Sequence, residues 1–150
     1  MKHFALLLVL GFFGCGAADK NTDPEGAASL LRKVKDQSYR TWQRAPGYES
    51  RRKAGSPHSD EVDIYVNGTV ADVLAKKLPS GTWPVGSIVV KDGFKGGAYD
   101  LTAIMEKRSD GWYWAEYGGD GTVQFSGQPS VCTGCHESGA DSIRAFGFPK

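Results

Sequence analysis

The chain has 150 residues, of which 40% are hydrophobic and 23% are charged, and its formal net charge is +1. This composition is typical of one ordinary globular domain, and it excludes an intrinsically disordered chain and a protein with several membrane-spanning helices. The near balance of acidic and basic residues also argues against nucleic acid as a partner, because a phosphate-binding surface needs an excess of lysine and arginine.

The first 18 residues have the features of a secretory signal peptide. A basic start is followed by an apolar run from Phe4 to Phe13 and by small residues up to Ala18. Cleavage after Ala18 would discard Cys15, whereas cleavage before Cys15 would leave this residue as the lipid anchor of a lipoprotein. Because both alternatives export the remaining domain, residues 19–150, we expect a periplasmic or otherwise exported location, with or without a membrane anchor.

The start of this domain has the pattern of an amphipathic helix. Asp23 and Pro24 suit the N-cap and the first helical position, and apolar residues then recur at helical spacing, which predicts a helix over residues 25–43. Residues 45–59 are polar and contain two prolines, so they are predicted to form a loop. The basic run within this loop, residues 51–53, is expected to be a solvated surface.

From residue 62 onward the hydrophobic period changes from 3.6 to 2, which indicates strands. Strands are predicted over residues 62–66, 87–92, 99–107 and 112–117, with a final strand or loop over 122–125. Residues 62–66 are expected to bury one face only. Short helical segments are predicted over residues 70–77 and 142–146, and a turn region over 78–86. Asp110-Gly111 between two strands is typical of a hairpin. The predicted fold class is α+β, with an antiparallel sheet of four to five strands and two helices packed on it.

A dense group of aromatic residues lies on one of these strands. Alternation places Trp112 and Trp114 on one face of the sheet and Tyr113 and Tyr117 on the other. We therefore expect one pair to lie in the core and the other to form part of a binding-site wall.

Residues 132–136 read Cys-Thr-Gly-Cys-His, which is the attachment signature of a c-type haem. Two thiols at this spacing can reach the two vinyl groups at one edge of the porphyrin, and the imidazole that follows can ligate the iron. We therefore expect Cys132 and Cys135 to hold one haem c covalently, with His136 as its axial ligand.

Two other uses of this cysteine pair are weaker. A zinc site would need two further ligands, and the mature domain offers only one other histidine, His58. A thiol-disulfide pair of the thioredoxin kind usually opens a helix after an early strand, whereas this pair lies near the C-terminus. A haem-free thiol-disulfide domain is nevertheless kept as an alternative.

The second axial position decides what the haem would do. Met105 lies in an alternating apolar segment and is expected to belong to the core, and His58 lies in a Ser-Pro-His-Ser loop and is expected to face solvent. An open, five-coordinate iron is therefore favoured, and open sites bind small molecules. The alternatives are that His58 faces the distal pocket as a hydrogen-bond donor, or that His58 or Met105 completes the iron of an electron carrier.

Several short segments resemble the cytochrome P-460 family, which includes the cytochromes c′-beta. The matching segments are Tyr39-Arg40-x-Trp42, residues 64–67, residues 83–91, residues 105–107, residues 111–113 and the haem motif. Their order and spacing cover roughly residues 39–146, nearly the whole mature domain. The four-helix cytochromes c′ share the C-terminal motif, but the strands predicted between residues 61 and 125 exclude them.

The resemblance implies an exported, sheet-rich monohaem protein that oxidises hydroxylamine or binds nitric oxide, with a partner cytochrome as a further expectation and homodimers as a common arrangement. Lys91 occupies the place of a lysine that is bonded to the porphyrin edge in the enzymatic members. The alternative for Lys91 is an ion-paired or extended side chain at the end of an edge strand. Phe94 is expected to cap the distal face of the haem. The sequence identifies no carboxylate that could accept a proton beside it.

Overall fold

An antiparallel sheet of seven strands organises the chain, which the computed structural model describes over residues 21–55, 57–76 and 81–149. The strands are β1 (Gln43–Arg44), β2 (Arg52–Lys53), β3 (Glu61–Val66), β4 (Ile88–Lys95), β5 (Ala98–Arg108), β6 (Gly111–Gly118) and β7 (Val123–Gly127). The helices are α1 (Pro24–Asp36), α2 (Gly68–Lys76) and α3 (Ser130–His136), and a short 3-10 helix spans Tyr39–Thr41. The predicted α+β class is confirmed.

The strand order is β1-β3-β4-β5-β6-β7, and β2 also pairs with β3. The predicted number of strands, four to five, is too low because β1 and β2 have only two residues each and lie in polar sequence without alternation. Both pair antiparallel with β3. The predicted signal peptide and the lipid-anchor residue Cys15 lie outside the described residues. Within the described part of the chain, no helix has the length and apolar character needed to cross a membrane.

Helix α1 begins as predicted and ends earlier than predicted. The Asp23 carboxylate accepts a 2.9 Å hydrogen bond from the Gly26 backbone N–H, and Pro24 takes the first position. The predicted extension to residue 43 is wrong, because Ser38 has a left-handed backbone with φ 50° that no helix can continue. Trp42 therefore lies outside the helix, and its indole N–H donates to the Gln37 carbonyl at 3.1 Å.

The two faces of the sheet carry two separate cores. Helix α1 covers one face, where Ala27, Leu30 and Val34 are buried together with Tyr113 and Tyr117. The opposite face carries Trp112 and Trp114, as the alternation predicted, and packs against α2 and the C-terminal segment. This second core includes Ile64, Val89, Met105, Trp114 and Ile143.

Strand β3 is buried on both faces, which contradicts the prediction of one buried face. Asp63 and Tyr65, the polar members of the alternation, are only 8% and 7% exposed. The reason is that Asp63 accepts hydrogen bonds from Arg44 and Arg51, so its charge is compensated where it is buried.

The predicted hairpin is confirmed, with Arg108 opposite Gly111 across a two-residue turn. Helix α2 begins two residues before its predicted start, at Gly68, and the Asn67 side chain accepts from the Val70 N–H at 3.3 Å. The predicted end of this helix at residue 77, and part of the 78–86 turn region, lie outside the described residues. The predicted helical turn over 142–146 is wrong, because Ala140 and Ile143 pair in a tight turn instead.

Candidate functional site

Helix α3 carries the Cys-x-x-Cys-His motif onto the sheet face opposite α1. The helix begins after Pro129, whose carbonyl accepts the backbone N–H groups of Cys132 and Thr133 at 2.9 and 3.0 Å. Cys132 and His136 are four residues apart and therefore project from the same side of the helix. Both line a cavity against the sheet, and Cys135 lines an adjoining one.

The two cavities have empty volumes of about 480 and about 920 Å³. They share the walls formed by His58, Val89, Lys91, Met105 and His136. The floor is the apolar sheet face, so the site combines an apolar interior with a few polar groups.

The His136 ring is fixed in orientation by the backbone. Its Nδ1 lies 2.8 Å from the Ser142 carbonyl oxygen, so this nitrogen carries a proton and donates it. Burial lowers the pKa of His136, and the hydrogen bond to Ser142 acts in the opposite direction. The result is a neutral imidazole with its lone pair on Nε2, which is the arrangement of a metal-ligating histidine whose other nitrogen is held by a carbonyl.

Lys91 extends from the middle of β4 into both cavities. The alternative that placed Lys91 at the end of an edge strand is wrong, because β4 pairs with β3 at Ile64 and with β5 at Ala103. Burial lowers the pKa of Lys91, while the charge of Glu116 acts in the opposite direction. Within the described residues this amine has neither a hydrogen bond nor an ion pair, so it is a partly buried polar group that borders the cavity.

His58 also reaches the cavity, and the expectation that it faces solvent is wrong. Its side chain is only 20% exposed, and its ring centroid lies 6.4 Å from that of His136. The loop that carries it folds back onto the sheet because Asp60 donates its N–H to the Phe94 carbonyl at 3.1 Å and Ser59 bonds to Asp100.

Glu116 is the site residue that the sequence reasoning missed. Its Oε2 lies 2.6 Å from His58 Nδ1, and its side chain is 14% exposed. The sequence pattern could have indicated this residue, because Glu116 follows Trp112 and Trp114 at a spacing of two. This spacing keeps it on the same face of β6. A carboxylate at the end of an otherwise apolar row indicates a group with a partner.

Met105 is 7% exposed, as expected of a core residue, and it also borders both cavities. Phe94, by contrast, is not among the residues that line either described cavity. Its ring lies under the Arg51 guanidinium, at 3.3 Å from the ring centroid, and contacts Tyr99 at 6.1 Å. A register shift between Gly93 and Phe94 accompanies this placement. The structure therefore gives no support to Phe94 as a distal cap.

The remaining polar groups at the site also bear on what it could hold. Cys132 and Cys135 are both thiols, and Arg144 donates to the Cys135 sulfur at 3.0 Å. The indole N–H of Trp114, which lines the smaller cavity, is buried and has no hydrogen-bond partner within the described residues. Two thiols, an oriented imidazole and an apolar floor form a donor set that fits a covalently attached haem.

Over residues 21–55, 57–76 and 81–149, no group of three or more histidine, cysteine, aspartate or glutamate residues is arranged to hold a bare metal ion. Comparisons of the chain with family models, with curated proteins and with solved structures found no match.

Proposed function

We propose that this chain is an exported haem protein of the cytochrome P-460 kind, which binds or converts a small nitrogen compound such as hydroxylamine or nitric oxide. The observation that carries the proposal is the position of three residues of one motif at one site. Cys132, Cys135 and His136 all border the cavities, and His136 keeps its Nε2 lone pair because Ser142 holds Nδ1.

In this proposal Cys132 and Cys135 attach the haem and His136 ligates its iron. The haem supplies an iron that can change oxidation state and bind a small ligand. The protein supplies the surroundings: Val89, a buried residue of the sheet face, helps to exclude water, and Ser142 orients the imidazole.

Lys91 separates the two forms of this function. The resemblance associates hydroxylamine oxidation with a lysine bonded to the porphyrin edge. The Lys91 amine borders the cavity and has no hydrogen bond or ion pair within the described residues, which supports that role. A tryptic haem peptide that contains Lys91 would favour the oxidase, for which a partner cytochrome would accept the electrons. A haem peptide without Lys91 would favour the nitric oxide binder.

A second candidate function is electron transfer with a six-coordinate iron. The 6.4 Å separation of the His58 and His136 ring centroids favours it, because a metal ion about 2 Å from one nitrogen of each ring fits within such a separation. Met105 at the cavity is the other available ligand. A low-spin six-coordinate spectrum in both oxidation states, lost in His58→Ala or Met105→Leu, would favour the electron carrier over the nitrogen-ligand protein.

The decisive experiment is intact mass spectrometry of protein matured in a periplasm with functional haem-attachment machinery. We expect the mass of one haem in addition to the polypeptide, and its loss in the Cys132→Ala, Cys135→Ala double variant. Thr133→Ala, which changes the motif between the cysteines, is the matched control and should retain the haem. A bare polypeptide mass would contradict the proposal, and a bare mass with a Cys132–Cys135 disulfide would favour the thiol-disulfide alternative.

A further inference from the structure

The contact between His58 and Glu116 joins two parts of the chain that are distant in sequence. His58 comes from the loop before β3, and Glu116 from β6, where it pairs with Ala103 of β5 and Phe125 of β7. The nitrogen-oxygen distance is 2.6 Å, and the side chains are 20% and 14% exposed. A contact this short between largely buried groups is typical of a hydrogen bond that involves a charged acceptor.

The contact determines which ring nitrogen of a neutral His58 carries the proton. A carboxylate is an acceptor only, so the contact requires a proton on His58 Nδ1. A neutral imidazole with its proton on Nδ1 carries its lone pair on Nε2. In serine hydrolases a carboxylate on Nδ1 has this effect, because it holds the histidine in the tautomer that can accept a proton at Nε2.

The pair lies in the wall of the smaller cavity together with His136 and Lys91. His58 therefore borders the same cavity as His136, the candidate iron ligand. The Lys91 amine is the other polar group on this wall, and its charged form is disfavoured by burial. Of the polar residues on this wall, His58 is the one whose hydrogen bonding is determined by a direct contact with another side chain, Glu116.

We propose that Glu116 holds His58 in its Nδ1–H tautomer, so that His58 presents a proton-accepting nitrogen to the ligand of the cavity. Glu116 is then a positioning residue, and the pair favours ligands that carry N–H or O–H groups, such as hydroxylamine, over ligands that only accept hydrogen bonds. The ligand preference rests on the proposed function, whereas the tautomer does not.

The tautomer is measured directly by long-range 15N–1H correlation NMR of the labelled protein, in the diamagnetic ferrous carbon monoxide form where haem is attached. We expect a proton on Nδ1 of His58 in the wild type. Glu116→Leu should move the proton to Nε2, and Glu61→Gln, a change of another glutamate on the sheet, should not. A wild-type His58 with its proton on Nε2 would overturn the proposal.

This readout needs no haem, so it separates the failure of this proposal from the failure of the proposed function. If no haem is attached, the NMR experiment on the same polypeptide still reports the tautomer. If haem is attached, the carbon monoxide stretching frequency gives a second readout. It should fall in Glu116→Leu, because a donating Nε2–H then faces the ligand, and an unchanged frequency would contradict the assignment.

Ligand affinity tests the positioning role of Glu116. It also distinguishes this role from a general loss of stability in the variant. Glu116→Leu should weaken hydroxylamine binding by roughly 3- to 10-fold, the effect of one lost hydrogen bond, and should leave nitric oxide binding within about twofold. In a His58→Gln background the same Glu116→Leu change should have no further effect on this ratio. An equal loss in both backgrounds would mean that Glu116 is only structural.

Discussion

Asp141 is tied to Lys107 by two hydrogen bonds, of 2.9 and 3.0 Å, between its carboxylate and the lysine ammonium group. The same carboxylate accepts the backbone N–H of Trp83 at 2.7 Å. Asp141 and Ser142 both have left-handed backbones, with φ 44° and 69°, and such conformations cost about 1 to 3 kcal/mol each outside glycine. Because the Ser142 carbonyl holds His136, Asp141 stabilises the strained turn that orients the candidate ligand.

The first prediction concerns this turn. Asp141→Asn keeps a residue that tolerates the left-handed backbone but removes the charge that pairs with Lys107. We expect the free energy of unfolding to fall by about 1 to 2 kcal/mol, as measured by denaturant titration. If haem is attached as proposed, the variant should also show a changed iron-histidine stretching band in the resonance Raman spectrum, because the hydrogen bond to His136 is less well held.

The control is Asp110→Asn, which leaves an Asn-Gly hairpin turn equally good at its position. It should change neither stability nor the Raman band. If Asp141→Asn behaves like this control, the turn is held by the Trp83 and Ala140 contacts alone and the prediction is wrong.

The second prediction uses the close approach at Gly139. A Cβ atom there would lie 2.6 Å from the backbone carbonyl group of Ile143 and 2.9 Å from the backbone nitrogen of Arg144. Gly139→Ala should therefore open the turn and lower stability by about 1 to 3 kcal/mol, measured by thermal unfolding. Gly147→Ala, in the same C-terminal segment, meets nothing within 4 Å and should have little effect. Equal melting temperatures for the two variants would contradict the tight turn.

The third prediction concerns a buried carboxylate on the α1 side of β4. Asp92 is 1% exposed and accepts hydrogen bonds from the hydroxyls of Tyr39 and Thr102, at 2.9 and 2.6 Å, and from Arg40 at 2.8 Å. Asp92→Asn should cost about 2 to 3 kcal/mol, because an amide group cannot accept all three bonds at these positions.

The matched control for Asp92 is Asp72→Asn, which removes an exposed helix pair with Lys76 that is worth only a few tenths of a kcal/mol. Chemical denaturation should separate the two variants clearly. A loss at Asp92 no larger than at Asp72 would show that the three contacts contribute nothing to stability.

The fourth prediction is a pH dependence. Burial raises the pKa of Glu106, but hydrogen bonds from Lys33 and Arg108 outweigh it and hold the pKa below its usual value. The carboxylate therefore stabilises the fold above the usual glutamate pKa of about 4.3, and this contribution is lost as the pH falls through the lowered value.

Glu106→Gln should accordingly be less stable than the wild type by about 1 kcal/mol at pH 7, with the difference shrinking below about pH 4.3. Unfolding measured between pH 3 and pH 7 tests this. Asp36→Asn, at the exposed end of α1, is the control and should show no such convergence. A difference that stays constant with pH would contradict the role of the Glu106 charge.

Local sequence patterns were sufficient for the elements that depend on local physics. The sequence predicted the N-cap at Asp23 and the hairpin at Gly111. It also predicted that Trp114 and Tyr113 lie on opposite faces of β6. The pairing of β1 and β2 with β3 was not predicted, because strands of two residues show no periodicity in the sequence. Such strands form only by pairing with the edge of a longer strand.

The residues of the candidate site also fall into those predicted by a local pattern and those revealed only by tertiary contacts. The sequence by itself predicted Cys132, Cys135 and His136 as candidate site residues, because the Cys-x-x-Cys-His spacing is typical of covalent haem attachment. Only the tertiary structure brought His58 from a loop and Glu116 from β6 into the same cavity, and showed that Lys91 is partly buried on a central strand. Spacing along the chain encodes a motif on one helix, whereas contacts between distant strands and loops depend on the sheet register, which no local pattern specifies.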